Sequence, residues 1–180
     1  MQLRYLVLVV LLGLLVHTSP ADAGKGAKVT RAFGGRILVS DMKFPSSAKS
    51  ESAFISKLKK QSKTRFMEDK KNQQWKVHFA AFFKRPLGDL EYTIKLYDIS
   101  AGQQLVSSFE QYTDSGDQMS LISYIILDRK QFGVNKRIMM TIEARGRVVA
   151  AGKFQILGEA ERFSGKADFS EEEAAGGTGD

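Results

Sequence analysis

The sequence predicts an all-β protein, an antiparallel β-sandwich of immunoglobulin-like architecture with one short N-terminal amphipathic helix. The main observation is a series of six strand-like segments after residue 74, joined by short turns with no helical pattern between them. A seventh strand, predicted at residues 36–40, completes the strand count of an immunoglobulin-like domain. The chain has no cysteine, so the disulfide of true immunoglobulin domains is absent. We therefore predict the architecture and not a family relationship.

Residues 1–23 have the features of a cleavable secretory signal peptide. Arg4 precedes an apolar run from Tyr5 to Val16, and the small-residue site Ala21-Asp22-Ala23 follows it. The run is too short to cross a bilayer comfortably, and its place at the N-terminus favours a signal peptide over a core helix or an uncleaved anchor. We expect cleavage after Ala23, export to the periplasm or the extracellular space, and no transmembrane segment in the product.

The next part of the chain is predicted to contain one strand and one helix. Residues 24–34 begin with small and basic side chains and are expected to form a flexible lead-in. Residues 36–40 favour β-structure and lie between a glycine pair and a Pro-Ser-Ser turn. In residues 50–63 apolar side chains recur at helical spacing and lysines recur at every third position, which predicts a short amphipathic helix. Residues 64–74 are polar and charged, and we interpret them as a connection.

A regular β pattern begins at Trp75. Trp75, Val77 and Phe79 alternate with polar or smaller residues, which predicts a strand with one apolar face. Later segments alternate in the same way, except that residues 119–127 are apolar on nearly both faces, as in a central strand. The six predicted strands are 75–83, 92–98, 104–112, 119–127, 137–144 and 148–156. Together with the first strand and the helix they define one domain over residues 35–158.

Charge is distributed unevenly along the chain. From Lys43 to Arg85 there are 12 lysines and arginines against three acids, whereas the formal net charge of the whole chain is only +7. Residues 159–180 carry seven acids and two bases and are rich in glycine, so we expect an acidic disordered tail. A basic region of this kind favours contact with anionic polymers or anionic lipid surfaces.

The candidate binding residues lie in this basic region. They are seven cations and one aromatic side chain: Lys57, Lys59, Lys60, Lys63, Arg65, Lys70, Lys71 and Trp75. Lysines on flexible stems neutralise phosphate or carboxylate groups without reading a sequence, and Trp75 is the predicted apolar anchor. The alternative is that the helix packs Phe54, Ile55 and Leu58 on the sandwich and merely exposes its lysines to solvent.

No motif for catalysis, metal binding or cofactor binding is recognisable, and we predict no cofactor. His78 is the only histidine left after signal cleavage, which excludes a histidine-rich metal site, and we interpret it as a surface or half-buried strand residue. Asp114, Asp117 and Asp128 lack the order of an EF-hand loop, and the tetrapeptide from Asp114 to Asp117 is typical of a turn.

Three hypotheses about function follow. The preferred one is an exported, non-enzymatic binding module that contacts a protein, an anionic envelope polymer or lipid headgroups through its basic helix region. Export disfavours nucleic acid as the natural partner. The second hypothesis is a structural, assembly or chaperone-like protein that acts through unpaired sheet edges. The third is a hydrolase with an unrecognised carboxylate or serine site.

Overall fold

A computed structural model describes residues 26–159, and this part of the chain is mostly β. Its eight strands are β1 (Arg36–Ser40), β2 (Arg65–Met67), β3 (Gln74–Phe82), β4 (Glu91–Asp98), β5 (Gln104–Tyr112), β6 (Ser120–Asp128), β7 (Lys136–Ala144) and β8 (Arg147–Leu157). Its three helices are α1 (Ala27–Phe33), α2 (Glu51–Gln61) and α3 (Arg129–Phe132). None of these helices combines the length and the apolar character that a membrane crossing requires.

All eight described strands belong to one curled, mixed sheet. Its order is β5-β4-β7-β8-β1-β3-β6, and β2 also pairs with β8. The long strand β8 pairs in parallel with β1 near its start, where Arg36 lies opposite Ala151. It pairs in parallel with β2 near its end, where Phe66 lies opposite Ile156. The predicted antiparallel sandwich and its immunoglobulin-like topology are therefore not confirmed, although the β-rich composition is.

The main core lies on the concave face of this sheet. Strand alternation sends Val77 and Phe79 of β3 to that face, where they are at most 1% exposed. The curl brings the two end strands to the same core, because Val106 of β5 and Leu121 of β6 both pack into it. The Gln131 side chain after β6 also donates a 3.2 Å hydrogen bond to the carbonyl oxygen of Val106. The two edges of the sheet are thus close to each other at α3.

A second, smaller core lies on the convex face, where α1 and α2 cover part of β1, β3 and β6. The rings of Phe33 and Phe82 are 5.4 Å apart, and Val29 is buried one turn before Phe33. The expectation of a flexible lead-in over residues 24–34 is therefore wrong for α1. Its basic residues occupy the outer side of a helix whose buried residues, four apart, face the sheet.

Most predicted elements are confirmed within one or two residues. The strands at 36–40 and 104–112 agree to the residue, and the helix predicted near 50–63 is α2, whose first turn is capped by the Ser50 hydroxyl accepting from the Ala53 amide at 3.2 Å. The short strand β2 lies inside the segment that we interpreted as a polar connection. The signal peptide and all but the first residue of the acidic tail lie outside the described residues.

Candidate basic surface

The lysines of α2 are exposed on a helix that is firmly packed on the sheet. Leu58 is fully buried, and Phe54 and Ile55 pack against the same convex core. Lys57, Lys59 and Lys60 project to solvent, and no acidic side chain within residues 26–159 pairs with any of these three. The packing described by the alternative interpretation is therefore present, and it leaves three unneutralised cations on one outer surface.

Directly after α2 the chain is hydrogen-bonded to β1. The Lys63 amide donates to the carbonyl oxygen of Val39 at 2.8 Å, and the Lys63 ammonium forms an ion pair with Asp41. The hydrogen bond from the Lys63 ammonium holds the pKa of the Asp41 carboxyl below its ordinary value. Arg65 follows as the first residue of β2 and is exposed. Lys63 is consequently already neutralised in part, whereas Arg65 is not.

Lys70 and Lys71 lie in the turn between β2 and β3. Asp69 shapes this turn by accepting hydrogen bonds from the Lys71 amide at 3.1 Å and from the Asn72 side chain at 2.7 Å. The Lys70 ammonium lies 2.6 Å from a carboxylate oxygen of Glu159, which raises the pKa of Lys70 and lowers that of Glu159. The predicted cations are thus divided between α2 and this turn, with β2 between them.

Trp75 is a core residue and not the surface anchor that the sequence predicts. It is 1% exposed, and its indole N–H donates a 2.9 Å hydrogen bond to the carbonyl oxygen of Leu157. The reason is strand alternation: Trp75 shares the concave face with Val77 and Phe79. An aromatic residue that follows a basic segment in sequence therefore points away from it in space.

Two further cations were missed by sequence reasoning. Lys43 and Lys76 flank His78 on the part of the convex face beyond α2, and Lys76 lies 4.6 Å above the ring centroid of Tyr124. The Tyr124 ring is also 5.7 Å from His78, because the two residues are paired across β3 and β6. The alternation of Lys76 with Trp75 places Lys76 on this face, but only the strand register brings in Tyr124.

The pKa of His78 depends on the charges of this region. Its pKa is lowered from 6.5, first by partial burial and then by the positive charges of Lys76 and Lys43, while Asp41 opposes the shift. The predicted half-buried strand position of His78 is confirmed. Burial is the largest cause of this shift, and among the charges the two lysines each outweigh the nearby carboxylate.

We define the basic surface by the exposed cations of these connected segments: Lys43, Lys57, Lys59, Lys60, Lys63, Arg65, Lys70, Lys71 and Lys76. The Gln61 side chain links α2 to the Lys43 loop by donating to the Lys43 carbonyl oxygen at 2.9 Å. Some cations outside this surface are paired with carboxylates, as Lys95 is with Glu143 at 2.6 Å. The arrangement suits point-charge contact with several phosphate or carboxylate groups over an open surface.

Of the aspartates considered for metal binding, Asp128 has a structural role. Asp128 caps α3 by accepting from the Lys130 amide at 2.7 Å. Within residues 26–159, no three histidine, aspartate or glutamate side chains are grouped so that they could hold a metal ion.

The sequence matches no known family model, and a comparison with curated proteins found no similar protein. The basic surface is therefore interpreted from its own residues, their exposure and their charge.

Proposed function

We propose that this protein is an exported, non-enzymatic binding module that contacts an anionic envelope polymer or lipid headgroups through the basic surface. The observation that carries the proposal is the exposure of Lys57, Lys59 and Lys60, with no acidic partner for them among residues 26–159. Ammonium groups on flexible stems bind phosphate and carboxylate as point charges and require no preformed pocket. The rigid packing of Leu58 holds their stems on one surface.

The convex face beside α2 adds a second observation. Lys43 and Lys76 both act on His78, so the positive potential extends from the helix onto the sheet. An anionic group placed there would relieve the repulsion among these cations and gain charge-assisted hydrogen bonds. A surface of this kind fits an extended polymer or a layer of headgroups better than a small, enclosed ligand.

Export is part of the proposal and rests on the sequence alone. The predicted signal peptide, residues 1–23, directs the product to the periplasm or the extracellular space. In that compartment acidic polysaccharides and anionic lipids are the abundant polyanions, and nucleic acid is not. Both sources present phosphate or carboxylate groups in repeated arrays, so one basic surface recognises the same chemistry in either.

The proposal is tested by equilibrium binding of residues 24–180 to two probes. One probe is polygalacturonate, an acidic polysaccharide, and the other is vesicles of phosphatidylglycerol mixed with phosphatidylcholine. We expect micromolar or weaker binding to at least one probe at about 50 mM salt and strong loss of it at about 500 mM, because exposed charges are screened. Binding to the vesicles alone identifies headgroups as the ligand, and binding to polygalacturonate alone identifies a polymer.

Two double variants with the same change in net charge test where on the protein the probes bind. K57E/K60E reverses two unpaired cations of α2, and R85E/R147E reverses two exposed cations outside the basic surface. We expect K57E/K60E to weaken binding by about tenfold or more and R85E/R147E to weaken it much less. Lys63 is left unchanged because its loss would also release Asp41. Equal weakening by both variants would show attraction by net charge alone and would contradict a defined surface. No binding of either probe would end the proposal.

A second candidate function is assembly through a sheet edge. In the order of the described sheet the end strands are β5 and β6. On β5, Leu105 is 50% exposed and Tyr112 is 65% exposed. An edge strand of this length accepts a strand from a partner when it has no charged side chains that oppose such pairing. This candidate predicts a salt-tolerant complex that L105K weakens and K57E/K60E does not. The hydrolase hypothesis stays a prediction from sequence.

A further inference from the structure

The chain leaves the sheet next to the basic surface. β8 ends at Leu157, and two residues later the Glu159 carboxylate lies 2.6 Å from the Lys70 ammonium. The backbone carbonyl oxygen of Glu159 also accepts a 2.7 Å hydrogen bond from Arg129. These two contacts start the C-terminal segment against the β2–β3 turn. The first acid of that segment is therefore already bound to a cation of the basic surface.

The sequence that follows is complementary in charge to this surface. Residues 160–180 contain six acids and two bases, and three of the acids are consecutive at Glu171-Glu172-Glu173. On the basic surface, Lys70 and Lys71 are exposed in the β2–β3 turn and Lys76 is exposed on β3. A run of three carboxylates can therefore meet several ammonium groups at once.

The covalent connection is long enough to allow this contact. Glu171 is twelve positions after Glu159, and a chain of that length reaches at most about 40 Å. Along β3, the four residue-to-residue steps from Gln74 to His78 span only about 13 Å. The acidic run can therefore reach the turn and the lysines beside His78. A short covalent link also raises the local concentration of the acidic run to about the millimolar range, which favours it over the same segment of another molecule.

We propose that the acidic run Glu171–Glu173 docks in cis onto the basic surface at Lys70, Lys71, Lys76 and Lys43, and competes there with the anionic ligand. The competition rests on the proposed function of this surface, whereas the docking itself does not. Binding of an external polyanion displaces the acidic run. Only a ligand whose negative charge density is high enough to outcompete the carboxylates of the run therefore binds at these lysines. The exposed lysines of α2 remain free to make the first contact.

The docking is tested by paramagnetic relaxation enhancement in residues 24–180. Because the chain has no cysteine, A175C offers a single site for a nitroxide label two residues beyond the acidic run. We expect broadening of the amide signals of residues 70–76 at about 50 mM salt and its loss at about 500 mM. The same broadening should be lost in E171Q/E172Q/E173Q, while the amides of β4 and β5 stay sharp throughout.

Two outcomes of this experiment overturn the docking. Broadening that is absent at low salt, or equal over the whole molecule, shows that the acidic run has no defined site. A mixture of unlabelled ¹⁵N protein with nitroxide-labelled ¹⁴N protein separates cis from trans contact. If the mixture shows the full effect, the segment docks on a second copy and the proposal in cis is overturned.

The competition is tested by binding of the polygalacturonate and vesicle probes. E171Q/E172Q/E173Q should lower the dissociation constant by about threefold or more at low salt, because three competing charges are removed. The control E91Q/E110Q/D117N makes the same change in net charge on exposed acids of β4, β5 and the loop after β5. Equal gains in both variants overturn the competition. If no variant binds either probe while the broadening persists, the proposed function and the competition fail together and the docking stands.

Discussion

The indole nitrogen of Trp75 donates a 2.9 Å hydrogen bond to the carbonyl oxygen of Leu157, which joins the start of β3 to the end of β8. The Glu68 amide donates to the same oxygen at 2.9 Å. Beside them the rings of Phe66 and Phe154 meet edge to face, with centroids 5.6 Å apart. The short strand β2 is held between these contacts, so the β2–β3 turn with Lys70 and Lys71 is attached directly to the main core.

Replacing Trp75 should therefore damage stability and not only the surface. We expect W75A to lower the free energy of unfolding by about 3–5 kcal/mol, because it leaves a large cavity in the core. W75F keeps most of the apolar volume but removes the N–H donor, and we expect a loss of about 1–2 kcal/mol. Urea unfolding followed by circular dichroism measures both, since the chain has no other tryptophan for fluorescence. Near-native stability of W75A would contradict the buried position.

The ion pair between Glu68 and Arg129 should matter more than the exposed pairs. The Glu68 side chain is only 3% exposed, and Arg129 donates to both of its oxygens at 3.0 and 2.8 Å. R129M leaves this carboxylate buried without its cation, and we expect a loss of about 3 kcal/mol in the free energy of unfolding. The double variant E68Q/R129M should recover part of that loss. K95M, which removes a more exposed pair with Glu143, should cost about 1 kcal/mol or less.

Gly152 marks the closest approach of β8 to β1. A Cβ atom at this position would lie 2.4 Å from the backbone oxygen of Ile37, which cannot move without shifting the strand. We expect G152A to lower the free energy of unfolding by about 1–3 kcal/mol. G26A is the matched control, because a Cβ atom there meets nothing within 4 Å. Equal stability of the two variants, measured by urea unfolding, would contradict the parallel contact between β1 and β8.

The local elements were predictable from sequence because alternation and helical spacing are local signals. The strand at 104–112 and the helix around Leu58 required no knowledge of their neighbours. β2 was missed because a three-residue strand with Phe66 as its one buried side chain shows no period. The parallel pairing of β8 with β1 was missed because alternation reports which face a residue occupies and not which strand lies beside it.

The candidate site was likewise predictable from sequence only in part. The exposure of Lys57 and Lys60 follows from the helical position of Leu58, and the sequence suffices to predict it. Trp75 lies on the apolar face of β3 that alternation predicts, so its closeness to the basic segment along the chain does not place it on the basic surface. The contact of Lys76 with Tyr124 depends on the register of β3 against β6, so only the folded structure shows it.

His78 offers a direct electrostatic test, because it is the only histidine in residues 24–180. Its pKa in the folded protein lies below the ordinary value of 6.5. The unfolded chain therefore binds more protons than the folded one as the pH falls below about 6.5. We expect the free energy of unfolding to fall over that range and to level off below the folded pKa. In H78Q this contribution to the pH dependence should be absent.

Ligand binding should move the same pKa in the opposite direction. An anionic polymer seated beside Lys76 and Lys43 offsets the positive charges that disfavour the imidazolium, so the pKa of His78 should rise towards or above its ordinary value. An NMR titration of the His78 ring protons between about pH 5 and 8, with and without polygalacturonate, measures the shift. K76M provides the comparison, because loss of this cation should raise the pKa of His78 in the free protein and reduce the further change on binding. A bound polymer that leaves the pKa of His78 unchanged would place the contact away from Lys76 and Lys43.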